Sequence, residues 1–151
     1  MDLSVKMIES AKEIFSTMVM MEIAVAGELL TETVVLVDSI SGVVGLAGKY
    51  KGVLAIHLPN SVAMAITGSF LGMEVEEINE DVEDAVGELA NMLAGDIKTV
   101  LSDKGRDIDL SIPTIISGHE YDFQPTKEAE SFIIPFSCNC GEFMIELQLN
   151  R

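Results

Sequence analysis

"EDVEDAVGELANMLAGDIKTVLSD", residues 80–103, is the stretch whose reading decides the rest of the chain. Side chains advance about 100° per residue along a helix. On that spacing Val82, Val86, Leu89, Leu93, Ile97 and Val100 fall within one narrow arc, the pattern of a long helix with a single buried face. Asp81 is its expected N-cap, Glu83 and Asp84 favour its positive end, and Gly105 is its expected stop. The opposite side carries Asp84, Gly87, Glu88, Asn91, Gly95, Lys98 and Ser102. A solvated helix face ordinarily holds Lys, Glu, Gln or Ala, because each interior glycine costs about 1 kcal/mol relative to alanine. Two glycines flanking Glu88 and Asn91 therefore need a reason. Either Gly87, Ala94 and Gly95 let another helix pack closely, or the small residues clear a shelf for a partner's surface. On such a shelf the carboxylate and carboxamide, three residues apart, would project side by side. Burying either group unpaired inside the protein would cost several kcal/mol.

Outward from this helix the periodicity alternates. Residues 4–18, "SVKMIESAKEIFSTM", place Val5, Ile8, Ile14, Phe15 and Met18 along one side of a first amphipathic helix. Residues 31–58 switch to β-branched runs, "TETVVLVDSI", "GVVGLAG" and "GVLAIHLP", which read as two or three antiparallel strands broken at Ser41-Gly42 and at "GKYKG". Pro59 closes them, and Asn60 or Ser61 is the expected cap of a helix through "SVAMAITGSFLGM". After the acidic connector "EVEEINE" and the long helix come the strand candidates "DIDLSIP", "TIISG", "SFIIPFSC" and "GEFMIELQL", the last two joined by an "NCG" turn. Pro113 and Pro135 cannot donate to a ladder and suggest strand ends, edges or bulges. Helices alternate with groups of strands, so the expected fold is α+β, an antiparallel sheet packed on one side by long helices. Aligning "KEIFSTM" with "GELANML" matches Glu13 to Glu88, Ile14 to Leu89 and Ser16 to Asn91, which suggests a duplicated helix-plus-strands unit.

Composition bounds the function. A chain of 151 residues with 48% hydrophobic content is expected to form a single domain, residues 1–151, with a packed core. Its net charge of -16, from 25 acidic and 9 basic residues, repels polyphosphates and anionic membranes, so no nucleic-acid or membrane partner is expected. No apolar run reaches the roughly 18 to 20 residues that span a bilayer. The start "MDLSVKMIESAKEIF" lacks the features of a secretory signal, and the protein is expected in the cytoplasm. Cys138 and Cys140, one residue apart, are expected to lie at a hairpin turn with Asn139 and Gly141; they lack the second ligand pair of a zinc site. His57 and His119 are isolated and expected at strand ends, and no metal site is expected in this chain.

"DVEDAVGELANMLAGDIKTVLSDKG", then "LSIPTIISG" and later "IIPFSCNCGEFMIEL", resemble the CheX branch of the CheC/CheX/FliY family of chemotaxis phosphatases. That family is marked by an Asp or Ser, an E-x-x-N four residues on, and a proline about twenty residues further. Asp84, Glu88, Asn91 and Pro113 fit in order. E-x-x-N alone is common in helices; embedded in "GELANMLAG" with a downstream "SIPTII" it is specific. The resemblance extends through "SISGVVGLAGKYKGVLAIHLP" and "SVAMAITGSFLGMEVEE", most of the chain. It implies a CheC-like, pseudo-duplicated α-β-β-β-α arrangement, a homodimer, and removal of phosphate from the phospho-aspartate of a CheY-type response regulator. Ser16 stands where a two-site member carries a second asparagine, which places activity at the first helix in doubt.

Side-chain chemistry agrees with that expectation. Phosphoryl transfer depends on in-line placement of the attacking oxygen and on charge neutralisation, and a carboxamide can orient water. Asn91 suits that role, with one acceptor and two donor hydrogens. Glu88 would salt-bridge a lysine beside the regulator's phosphorylation site. Asp84, Gly87, Gly95 and Lys98 are the expected docking surface around this pair. No cofactor is expected in the chain itself, and Mg²⁺ is expected in the partner's active site. A non-catalytic regulator-binding or adaptor module is the alternative.

Overall fold

A computed structural model of the chain describes residues 3–31, 34–102, 106–122 and 130–150. Helix α1 (Leu3–Ile14) runs into a π-helical turn (Phe15–Val19) and the short strand β1 (Ala24–Val25). Strands β2 (Val35–Gly48) and β3 (Lys51–Pro59) lead to α2 (Asn60–Leu71) and α3 (Glu80–Leu101). Strands β4 (Ile108–Leu110), β5 (Thr114–Asp122), β6 (Glu130–Cys138) and β7 (Gly141–Asn150) complete the described residues. The result is the expected α+β architecture. The strands form one antiparallel sheet in the order β1-β6-β7-β3-β2-β4, with β5 also paired to β2. Strand β2 is long enough to take β5 along Val35–Val43 and β4 along Leu46–Gly48 of the same edge.

One sheet face is apolar in strict alternation. Ile40, Val44 and Leu46 of β2, Leu54, Ile56 and Leu58 of β3, and Phe143, Ile145, Leu147 and Leu149 of β7 all join the buried core. The helices cover it with Val82, Val86, Leu89, Leu93 and Ile97 from α3, Val62, Ala63 and Ile66 from α2, and Met7, Ala11 and Ile14 from α1. Helix α3 lies on β2 and α1 on β6, and the hairpins β2–β3 and β6–β7 join along β3–β7. That is the pseudo-duplicated arrangement expected from the echo between the two helices.

Several local expectations are corrected. Ser41-Gly42 does not break β2, which continues through it. Gly42 is instead where α3 crosses the sheet: a Cβ there would stand 2.9 Å from the Val86 carbonyl oxygen and 3.1 Å from Ala90 Cβ. The first helix ends as an α-helix at Ile14, and the π turn then shifts the buried stripe onto Phe15 and Val19. Val5 and Met18, expected inside, are exposed. Phe15 stacks on Phe143 at 5.2 Å, and Phe143 on Phe136 at 5.5 Å.

Neither Asn60 nor Ser61 caps α2. Pro59 occupies that position, and Asn60 Oδ1 is buried without a hydrogen-bond partner among the described residues. Helix α3 is capped by Asn79, whose Oδ1 accepts from the Val82 N–H at 3.2 Å, while Asp81 sits within the first turn. The helix ends at Leu101, with the Ser102 N–H donating to the Lys98 carbonyl; its expected stop, Gly105, lies outside the described residues. Pro135 lies within β6, and its carbonyl accepts from Ala26 beside the two-residue strand β1. The N–H it lacks faces that same thinly paired side, so no ladder bond to β7 is lost.

Candidate functional site

The site is built on the outer surface of α3. Glu88 and Asn91 are both exposed and one turn apart. Among the described residues no ion pair holds Glu88 and no hydrogen bond holds the Asn91 amide, so both polar heads point into solvent from a rigid 22-residue helix. Asp84 is exposed on the same stripe, and Gly95 and Lys98 are half-exposed beyond it. Among the described residues, a Cβ at Gly95 would meet nothing within 4 Å, so this glycine makes room for no described part of its own chain.

Gly87 is different. Expected on the water-facing stripe with Gly95, it is buried, and a Cβ there would lie 3.5 Å from Pro113 Cβ and 3.6 Å from Ile115 Cδ1. The reason is the segment entering β5, which packs Pro113 against that flank of α3. Ser102, also placed on the stripe, is buried at the helix end with its hydroxyl donating to the Lys98 carbonyl. The bare face is therefore Asp84, Glu88, Asn91, Gly95 and Lys98, and Gly87 belongs to its internal support.

Two apolar features flank this face that sequence reasoning did not single out. On the Pro113 side, Ile112 is 84% exposed, the most exposed of the large hydrophobic residues among those described. On the α2 side, Phe70 and Leu71 line a hollow of about 250 Å³ together with Asp81, Asp84, Ala85 and Glu88. The sequence signal pointed the other way: Ile112 continues the alternation of Ile108 and Leu110 in "DIDLSIP", which reads as strand, whereas β4 ends at Leu110 and leaves Ile112 outside the sheet. The counterpart position on α1 carries Glu13 and Ser16, both exposed beside a hollow with Lys12, Glu22 and Ile23. Ser16 turns its hydroxyl back onto the Glu13 carbonyl at 3.1 Å.

The sheet face away from the helices holds a second cluster. Ser41 Oγ lies 2.6 Å from His57 Nδ1 and 2.8 Å from the Tyr121 hydroxyl, His57 Nε2 lies 2.9 Å from Glu146 Oε1, and Gln148 donates to Glu146 Oε2 at 2.8 Å. Burial pushes the Tyr121 hydroxyl above its ordinary range, with the Ser41 hydrogen bond pulling the other way. Although Ser, His and Glu stand in series, Ser41 is fully buried and presents no nucleophile. The chain of hydrogen bonds satisfies polar groups across β5, β2, β3 and β7. His57 lies two residues before the end of β3, close to where it was expected, whereas His119 sits within β5, exposed and 2.6 Å from Asp38. Among the described residues no group of three His, Cys, Asp or Glu side chains is arranged to hold a metal, and no helix is long and apolar enough to cross a membrane.

Residues 40–137 match the family model "Chemotaxis phosphatase CheX". The chain belongs to the CheX family. The CheY-P phosphatase CheX of Thermotoga maritima is 31% identical over 83 residues. The aligned segment is 54% of this chain and spans about half, 54%, of that curated relative. The crystal structure of the chemotaxis protein CheX from Vibrio vulnificus is 27% identical, with a TM-score of 0.86 over 98% of this chain and 99% of that one. The CheX of the CheX–CheY–BeF3–Mg²⁺ complex from Borrelia burgdorferi shares the fold at 21% identity, with a TM-score of 0.75 over 99% of each chain.

Proposed function

We propose that this CheX-family chain is a protein aspartyl-phosphate phosphatase that acts on a phosphorylated CheY-type response regulator. The observation that carries the reading is the exposed Glu88–Asn91 pair on α3, set beside an open glycine and engaged by no other described side chain. Its family membership and its similarity to a CheY-P phosphatase support the reading. So does the fold it shares with a CheX that was crystallised with CheY.

An aspartyl phosphate is a mixed anhydride, and its hydrolysis needs a placed water more than a covalent nucleophile. Asn91 accepts one hydrogen bond from that water through its Oδ1 and offers its NH₂ to a phosphoryl oxygen, holding the attacking oxygen in line with phosphorus. Attack forms the new P–O bond, the bond to the aspartyl oxygen breaks, and the products are inorganic phosphate and a free carboxylate. Glu88 pairs with a lysine beside the phosphorylated aspartate and so sets the depth of Asn91. Asp84, Gly95 and Lys98 border the contact. Gly87 contributes indirectly, by seating Pro113. Mg²⁺ held by the regulator's own acidic residues would neutralise developing charge on the phosphoryl group. The chain would act as a cytoplasmic homodimer.

Decay of a phosphorylated regulator in the presence of substoichiometric protein tests the reading. Turnover well above one phosphate per chain is expected. Asn91→Ala should abolish nearly all of the acceleration while still binding the BeF3-activated regulator, and Glu88→Ala should mainly raise KM. An Asn91→Ala rate equal to wild type would refute the mechanism. Binding without turnover would leave an adaptor.

A further inference from the structure

The hollow between the end of α2 and the first turns of α3 reaches beyond the part of the surface that the proposed reaction uses. Asp81, Asp84, Ala85 and Glu88 stand at i, i+3, i+4 and i+7, so one stripe of α3 forms its first wall. Phe70 and Leu71 form the opposite wall, Phe70 half-buried against the core and Leu71 45% exposed. Helix α2 stops there because Gly72 turns left-handed at φ 68 and the Met73 N–H donates to the Gly68 carbonyl at 3.0 Å. No basic residue occupies its last turn, so the negative end of the α2 dipole is brought to the hollow unopposed.

Shape and charge together specify an occupant. The hollow measures about 250 Å³, smaller than the roughly 300–1,000 Å³ of small-molecule sites, and suits one long side chain. Its apolar wall can cover a methylene stem while the carboxylates take a charged head. Among the described residues no ion pair engages Asp81, Asp84 or Glu88. No lysine or arginine stands anywhere between Lys51 and Lys98, and Lys98 itself lies about 15 Å along α3 from Glu88. The cation that this surface lacks has to come from a partner.

We propose that the hollow is a specificity pocket for a lysine or arginine of the response regulator, separate from the lysine that Glu88 engages. The inference rests on α3 being the regulator-docking face. The stem lies along Leu71 and Ala85, and the head, beside the Phe70 ring, pairs with Asp81 and Asp84. Asp81 and Glu88 are seven residues apart, about 10 Å along the helix, so the regulator carries its second cation about 10 Å from the first. A regulator with no basic side chain there leaves two carboxylates facing its surface unpaired, and is discriminated against.

Titration of the BeF3-activated regulator with wild type, Asp81→Asn and Leu71→Ser, at low and high salt, tests the pocket beside assays of phospho-regulator decay. Each substitution should raise Kd on the order of 10-fold, with the rate at saturating regulator unchanged. Asp81→Asn should also flatten the salt dependence, which a merely structural role would not do. Both positions are exposed, and both variants should melt with wild type. Among regulator lysines and arginines replaced one at a time by methionine, one about 10 Å from the active-site lysine should weaken wild type but not Asp81→Asn. Glutamate at that regulator position should rescue Asp81→Lys. Wild-type Kd values for Asp81→Asn and Leu71→Ser, or no regulator cation coupled to Asp81, would overturn the pocket and leave the phosphatase reading standing. A wild-type chain that neither binds nor dephosphorylates the regulator would overturn both.

Discussion

Gly42→Ala probes how closely α3, the helix that carries Glu88 and Asn91, is seated. The added Cβ would lie 2.9 Å from the Val86 carbonyl oxygen, 3.0 Å from Val86 Cγ1 and 3.1 Å from Ala90 Cβ. Two of these contacts are to atoms at or next to the helix backbone, so no flexible side-chain tip can give way. Restoring ordinary contact requires α3 to rise off β2 by several tenths of an ångström. Overpacking of this kind costs about 1–3 kcal/mol. For a domain of this size that lowers Tm by roughly 3–10 °C. The same displacement carries Glu88 and Asn91, and the docking proposed for them would tolerate little error: misplacement of a catalytic group by about 1 Å costs on the order of 100-fold in rate. We expect at least a several-fold fall in the rate of phospho-regulator decay, together with the lower Tm. Gly45→Ala is the control: on the same strand, its Cβ would meet only Ser111, at 3.5 Å. Urea unfolding and regulator dephosphorylation should be measured on both variants. If Gly42→Ala melts with Gly45→Ala, the helix is not seated as described. If it melts lower yet retains full activity, the link from seating to catalysis is wrong.

The two helix glycines should separate. Gly95→Leu, facing open space, should keep or raise Tm, by up to about 1 kcal/mol of helix propensity, while blocking docking. Gly87→Leu should lower Tm by displacing Pro113 and Ile115, as a melting comparison of the pair will show. Ile112→Ser should leave Tm within about 1 °C, as surface substitutions usually do, but should raise KM for the phosphorylated regulator; an unchanged KM would remove Ile112 from the docking surface. Alkaline stability is set partly by Cys140, whose folded-state value of about 12 stands above its ordinary 9.0. The unfolded thiol ionises first, so unfolding free energy should fall as pH climbs from about 9 towards 12, and Cys140→Ala should flatten that decline in denaturant titrations.

Much of the fold was legible because its signals are periodic. The α3 stripe from Val82 to Ile97 and the alternation of β7 from Phe143 to Leu149 appear in the structure as read. What misled were residues whose meaning depends on a neighbour distant in sequence. Gly42 looked like a strand break and is a crossing point, because only the approach of Val86 and Ala90 explains it. Gly87 looked like a companion of Gly95, yet Pro113 covers one and nothing covers the other. Helix caps failed for a local reason: several Asp and Asn side chains competed near residue 80, and Asn79 took the bond expected of Asp81. The π turn had no sequence mark, and it moved Met18 from the core to the surface. At the candidate site, the exposure of Glu88 and Asn91 on one helix face was readable from helical spacing, whereas Ile112 and the Phe70–Leu71 hollow depend on how loops and helices assemble.

Asp38 takes φ 44 within β2, and around it the strand reverses the side to which its residues point: Leu36 and its partner Tyr121 join Ser39 and Ser41 on the face away from the helices. An ordinary strand can slide by two positions against its neighbour and still send every side chain to its proper layer. This one cannot. A two-place slide would move the reversal onto Leu36 or Ile40, bulky residues that resist the left-handed region, and would tear the Asp38–His119 contact. One aspartate thus acts as a registration mark for the longest of the described strands.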